Sequence, residues 1–141
     1  MSTLVTAIDP SRESLAHFVA AVPADQPLSM LNLLRFREQA AYSAEQSAAP
    51  CSGRQAYAEY TRQVLPLLGA VGAELVWLGQ VHSALIAPPG EEWHEALLVK
   101  YPSKQAFMQM IQSVAYRAIV HHRTAALADS RLLACTMQPA L

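Results

Sequence analysis

The sequence predicts an α+β domain in which two strand–helix–strand halves share one sheet. Three observations carry this. Two apolar stripes at helical spacing, one from Tyr57 to Val71 and one from Ala106 to Leu127, each follow a helix-capping signal. Short segments dense in Leu, Val and Ile flank both stripes, and Pro88-Pro-Gly90 turns the chain between the middle two. The last third, from His94 onward, reads as strand, sharp Pro102-Ser103 turn, helix and closing strand.

Asp9-Pro10 would open a helix ahead of this pattern, with Asp as N-cap and Pro at the first helical position. Leu15, Phe18, Val19 and Val22 recur along it at helical spacing, and Pro23 ends it. Residues 1–27 thus form an extension carrying one helix. Ser29 to Arg37 follows as a strand whose two polar interruptions, Asn32 and Arg35, have opposite parity and so point to opposite faces. Residues 38–51, rich in Ala, Ser and Gln with no apolar period, are an inserted loop with room for a helical turn, a lid or a disordered segment, and expected to be disordered.

Ser52-Gly-Arg-Gln55 is a capping box for the first long helix. Tyr57, Tyr60, Val64, Leu67 and Val71 form its apolar face, Pro66 should kink it or loosen its last turn, and Gly69 and Gly72 end it. Ala73 to Ile86 reads as a long strand with Gly79 as a bulge, returning as Trp93 to Tyr101. A turn centred near Pro89 would set His82 opposite Leu97 and Ile86 opposite Trp93, within two residues. Ser103 caps the second long helix, which has a break near Ser113, and Arg131 to Met137 is the final strand. After the first helix the order is β-α-β-β-α-β, the ferredoxin-like split βαβ arrangement, in a single domain.

Of 141 residues, 52% are apolar and only 15% charged. An average soluble domain carries roughly 25% charged residues. So little polar surface predicts that a second subunit covers one face. A net charge of −1, with no run of like charges, gives no footprint for nucleic acid. No apolar run reaches the roughly 18 residues of a membrane span. The first residues lack the basic-then-apolar pattern of a signal peptide, so the expected location is cytoplasmic. Cys51 and Cys135 are expected to be reduced and structural.

Met30-Leu-Asn-Leu-Leu-Arg-Phe36, Tyr57 and Tyr60, Trp77-Leu-Gly79, Glu91-Glu-Trp93, Tyr101-Pro-Ser103 with Ala106-Phe107 and Met110, His122-Arg123, Leu127 and Asp129-Ser-Arg131 follow one another along the chain. In that order they resemble a bacterial family known only as a domain of unknown function, within the dimeric α/β-barrel proteins. The resemblance spans about residues 28–135. It implies two ferredoxin-like sheets packed face to face across a two-fold axis, with clefts between sheet and helices for small, often apolar molecules. Relatives of that architecture include antibiotic-biosynthesis monooxygenases, muconolactone isomerases and haem-binding peroxidases. Similar sequences tend to carry Asp after the Trp of the Glu-Trp motif. Here that position is His94, so an acid role cannot be carried over to it.

The catalytic candidates are His94, Glu92 and His122. Glu92, Trp93 and His94 lie where a loop enters a strand, so an acid, an aromatic wall and an imidazole would meet a ligand there, or stand solvated around a rim anchor. His121 and His122 point about 100° apart on a helix and would not share a metal; the i, i+4 pair of zinc helices is absent. His122 or Arg123 would face a cleft and hold an anion, or Arg123 would snorkel over the core. Asn32, Arg35, Trp77, Trp93, Tyr101 and Arg123 are the candidate ligand-binding residues. Arg35 would pair with Glu74 or Asp129, or bind a ligand carboxylate. Tyr57 and Tyr60 read as core with tethered hydroxyls, and Asp129-Ser130-Arg131 as a turn. No nucleophile elbow, phosphate loop or dinucleotide fingerprint occurs, and no cofactor or metal is expected. The expectation is a homodimer binding a small, partly apolar molecule, either as a cofactor-free monooxygenase-like or isomerase-like enzyme, or as a non-catalytic binding module.

Overall fold

The computed structural model describes residues 5–139. Four strands, β1 (Leu28–Phe36), β2 (Glu74–Gln80), β3 (Glu95–Tyr101) and β4 (Leu127–Cys135), form one antiparallel sheet in the order β2-β3-β1-β4. α2 (Gly53–Ala70) crosses from β1 to β2, and α3 (Lys104–Gln112), α4 (Val114–Arg117) and α5 (Val120–Ala126) cross from β3 to β4. This is the α+β, ferredoxin-like fold, with both crossovers against one face of the sheet.

Strand alternation sets that face. Leu28, Met30, Asn32, Leu34 and Phe36 are buried, while the residues between them are only half-buried. Leu28, Leu34 and Leu127 are 0% exposed. Full burial of a side chain of this size stabilises the fold by about 1.5–3 kcal/mol. From the helices, Tyr57, Tyr60, Val64 and Leu68 of α2 and Phe107 and Met110 of α3 close over this face.

Local signals start the helices as expected for α2 and α3. The Ser52 hydroxyl accepts from Gln55 N while the Gln55 side chain accepts from Ser52 N, and the Ser103 hydroxyl accepts from Ala106 N. Ser113 breaks the second helical stretch and caps α4. Four expectations need correction. The N-terminal helix α1 (Arg12–Ala21) is capped by Ser11 in a reciprocal pair with Ser14, not by Asp9. Asp9 is occupied elsewhere, accepting from the Thr124 hydroxyl. β2 ends at Gln80, and its register sets Leu78, not His82, opposite Leu97. The apolar pair Leu85-Ile86 lies in the irregular connection, almost fully exposed, because no layer covers it. Asp129-Ser130-Arg131 lies inside β4 rather than in a turn.

The fourth correction concerns residues 38–51, which are tied down. Ala40 N donates to Cys51 O, Ala41 N to Ala125 O, and a short 3₁₀ turn at Ala44–Gln46 carries its own capping box from Ser43. The knot under this loop is backbone on backbone: Arg37 N donates to Ala126 O, and Gly53 N to Arg37 O. A Cβ on Gly53 would collide with the Arg37 and Ala126 carbonyls, so only glycine fits there. α2 runs through Pro66 to Ala70.

Candidate functional site

Sheet and helices do not meet everywhere. Between them lies a cavity of about 1040 Å³. Its floor is the helix side of the sheet, with Met30, Asn32, Leu97, Val99 and Tyr101; α2 and α5 supply Tyr57, Tyr60 and Arg123 from above. The dimensions suit a small organic ligand, for which pockets run to roughly 300–1,000 Å³ and are mostly apolar with a few convergent polar groups.

The polar groups are specific. Arg123 is 7% exposed. Its Nη1 donates to Ile8 O at 2.6 Å and lies 4.0 Å from the Asp9 carboxylate, beyond hydrogen-bond reach. The Tyr60 and Tyr116 hydroxyls are 3.1 Å apart. Burial raises the Tyr57 and Tyr60 phenols above their ordinary range, against the pull of the Arg123 charge, so both stay protonated donors at neutral pH. Asn32 donates to Met30 O at 3.3 Å. On the far side of Tyr57 a smaller recess of about 280 Å³ is lined by Phe36, Arg54, Thr61 and Glu95. Burial raises the Glu95 carboxyl, and the nearby Arg54 charge partly opposes this.

The chain ahead of α1 closes one end of the cavity. Ala7 N donates to Asp129 Oδ1 at 2.9 Å, Ser130 N to Ala7 O at 2.7 Å, and Arg131 Nη1 to Asp129 Oδ1 at 2.7 Å. Burial alone would raise the Asp129 carboxyl; these bonds and Ser130 N outweigh it and hold the group below its ordinary value. Phe18 of α1 then packs edge-on against Phe107, and Lys104 Nζ caps the end of α1 through Val22 O at 2.7 Å.

The structure brings Asn32, Tyr101 and Arg123 to this cavity and leaves the other candidates elsewhere. His94 extends the sheet: its backbone N donates to Leu34 O, and its Nδ1 accepts from Phe36 N at 3.0 Å. The ring proton therefore sits on Nε2, facing Glu92 at 3.0 Å. Trp93 is buried beneath the Arg131 guanidinium, 5.2 Å from its ring, and donates to Glu91. Trp93, His94 and Arg123 do not converge on a common cavity. Arg35 pairs in register with Asp129, but that carboxylate is taken by Arg131, leaving Arg35 half-buried on the other face. Trp77 lies on that other face too, 54% exposed, opposite Leu98.

His122 belongs to a separate cluster. Its Nδ1 is 2.6 Å from the Tyr42 hydroxyl of the 38–51 loop, its Nε2 faces Gln63 of α2, and the His121 ring lies 4.1 Å away. Burial, then the His121 charge, lower its pKa. Among the described residues no group of three or more His, Cys, Asp or Glu side chains could hold a metal, and no helix is long and apolar enough to cross a membrane.

Tyr57, Tyr60 and Tyr116 fall on apolar helical stripes in the sequence and read as core, and nothing in the sequence marks Glu95. The available signal was the i, i+3 pair of phenols on the face of α2 that the Arg123 stripe must meet. Glu95 carried no such signal, because only the β1–β3 register places it under α2.

The open face completes the picture. Leu31 and Leu98 stand in register across β1 and β3, flanked by Trp77 on β2 and Leu133 on β4, with Leu33 next along β1 opposite Ala96. Trp77 lies flat across Gly79, where any Cβ would strike the indole.

Comparison with known proteins agrees with this architecture. A protein of unknown function from Rhodopseudomonas palustris has a crystal structure 38% identical to this chain, covering 96% of this chain and 100% of its own, with a TM-score of 0.87. A dimeric protein of unknown function and ferredoxin-like fold from Bacteroides fragilis is 11% identical, covers 79% of this chain and 96% of its own, and has a TM-score of 0.50. The hydroxynitrile lyase from Passiflora edulis is 13% identical, covers 83% and 98%, and has a TM-score of 0.55. The last two share the fold alone. No curated protein matches the chain. Residues 38–135 match the model of a domain of unknown function, DUF1330, and the chain belongs to that family.

Proposed function

We propose that the protein is a homodimer, paired through the open face of its sheet, that binds a small, partly apolar molecule between sheet and helices in each subunit. The observation that carries this is the cavity itself: an apolar chamber of about 1040 Å³ into which a buried arginine and buried phenols converge. Self-pairing is supported by the open-face residues Leu31, Leu33, Leu98, Trp77 and Leu133, of which Trp77 and Leu133 are about half exposed, by the low charge content, and by the Bacteroides fragilis protein of the same fold being dimeric.

Within this reading, isomerase-like proton transfer without a resident cofactor is favoured over monooxygenase-like chemistry. Tyr57, a protonated phenol, lines both the chamber and the smaller recess that holds Glu95, a carboxyl of raised pKa, and moving a proton between two carbons needs only such a pair. A non-catalytic module would need the chamber but not Glu95.

Two measurements test the reading. Light scattering at micromolar concentration should give twice the chain mass; a monodisperse monomer sinks the dimer. A thermal-shift screen with small apolar compounds should raise the melting temperature, and no shift across aryl and alkyl probes sinks the binding site. Exchange of an acidic carbon-bound proton of a bound probe into deuterated water, lost in Glu95→Gln with binding retained, would separate enzyme from module.

A further inference from the structure

We propose that the molecule this cavity takes is a carboxylic acid with an apolar body, its carboxylate held by the free edge of Arg123. The proposal rests on the cavity being a small-molecule site and specifies what enters it.

A buried guanidinium needs partners, because an unpaired charge in an apolar chamber is costly. The fold supplies Arg123 with little. Of five N–H donors, those of Nη1 meet Ile8 O, and the nearest carboxylate, Asp9, is half-exposed and 4.0 Å away. Yet among the described residues no fully enclosed side-chain nitrogen or oxygen lacks a partner. The Nε and Nη2 edges of Arg123 make no hydrogen bond within the described residues and are not sealed inside protein, and Arg123 lines the chamber. The Tyr57 hydroxyl is likewise not sealed inside protein, and Tyr57 lines both the chamber and the smaller recess.

Those open groups are all donors. A planar guanidinium edge matches the two oxygens of a carboxylate, and a neutral phenol adds a third donor. Around them Met30, Leu97, Val99, Phe107, Met110 and Ile111 supply a largely apolar stretch of lining, which would meet an alkyl or aryl body. A small inorganic anion would leave that apolar volume unfilled. The chemistry that matches both ends is an aliphatic or aryl carboxylic acid.

Calorimetry with matched acid and amide pairs tests this, using octanoate against octanamide and 4-phenylbutyrate against 4-phenylbutyramide. The acids should bind the wild-type protein roughly tenfold or more tightly than their amides, the worth of one charge-assisted contact. Arg123→Met removes the buried bond to Ile8 and risks unfolding, so Arg123→Lys is the decisive variant. It keeps the charge but loses the planar edge, and acid affinity should fall several-fold while amide affinity holds. Equal binding of acid and amide by the wild type overturns the carboxylate while leaving the cavity a binding site. Parallel losses for acid and amide in Arg123→Lys, or no change in either, also overturn it. Failure of all four probes to bind or to raise the melting temperature overturns the cavity reading as well.

Discussion

The two faces of the sheet are made from nearly the same side chains and meet opposite fates. Along β1, Met30 and Leu34 lie under helices while Leu31 and Leu33, one residue away, face outward and are only half-buried. On the covered side the helices leave a chamber with the charged Arg123 in its lining; on the open side a central apolar row of Leu31, Leu98, Trp77 and Leu133 is bordered by Arg35, Arg131 and Lys100. The difference teaches that apolarity marks burial without saying by what. The covered face meets helices of its own chain, whereas the open face meets no further layer of it.

Adjacent residues can break this comparison. Leu34→Ala should cost about 2–5 kcal/mol in urea unfolding, the usual range for emptying a sealed site. Leu33→Ala should cost far less in chain stability at concentrations where the subunits are apart. Equal losses would show that both faces are core in the same sense.

The next effect falls on assembly. Leu98→Glu puts a charge at the centre of the open face and should weaken self-association at least about a hundredfold, read by sedimentation equilibrium. Far-UV circular dichroism should stay unchanged. A dimer that survives this change pairs through some other surface.

Gly79→Ala is a subtler probe of the same face. The new methyl must push the Trp77 indole off the sheet, so association should weaken about tenfold while the melting temperature of the separated subunit moves little.

Smaller effects belong to the sheet margin and the loop. His94→Ala removes the acceptor for Phe36 N and should cost about 1 kcal/mol without altering ligand affinity. A loss of affinity instead would put His94 at the site. His122 titrates below its unfolded value of about 6.5 because burial and His121 disfavour its cation. The unfolded chain then binds the proton more readily, so stability is full above about pH 6.5 and falls as pH drops through that value toward the folded one. His122→Gln should flatten this slope in melts run from pH 7.5 to 5.0.

Much of the fold was legible from short-range signals. The Ser52 and Ser103 caps, the break at Ser113 and the alternation along β1 are all decided within a few residues. The site was legible in part. Arg123 stood out as a cation on an apolar stripe, and Asn32 as an amide in an apolar strand. His94 and Trp93 attracted notice for their chemistry, yet one caps the sheet and the other lies under Arg131. The loop at 38–51 misled most, because its order comes from backbone bonds to Ala125 and Cys51 and leaves no trace in side-chain periodicity.

The sequence by itself determined where the two long helices start and that β1 is a strand, because capping and alternation are local properties of the chain. Only the tertiary structure decided which face the helices cover, that Tyr57, Tyr60 and Arg123 share one chamber, and that Glu95 stands beneath α2. Those relations rest on strand register and on contacts between residues far apart in the chain, where the free energy of packing outweighs any local preference.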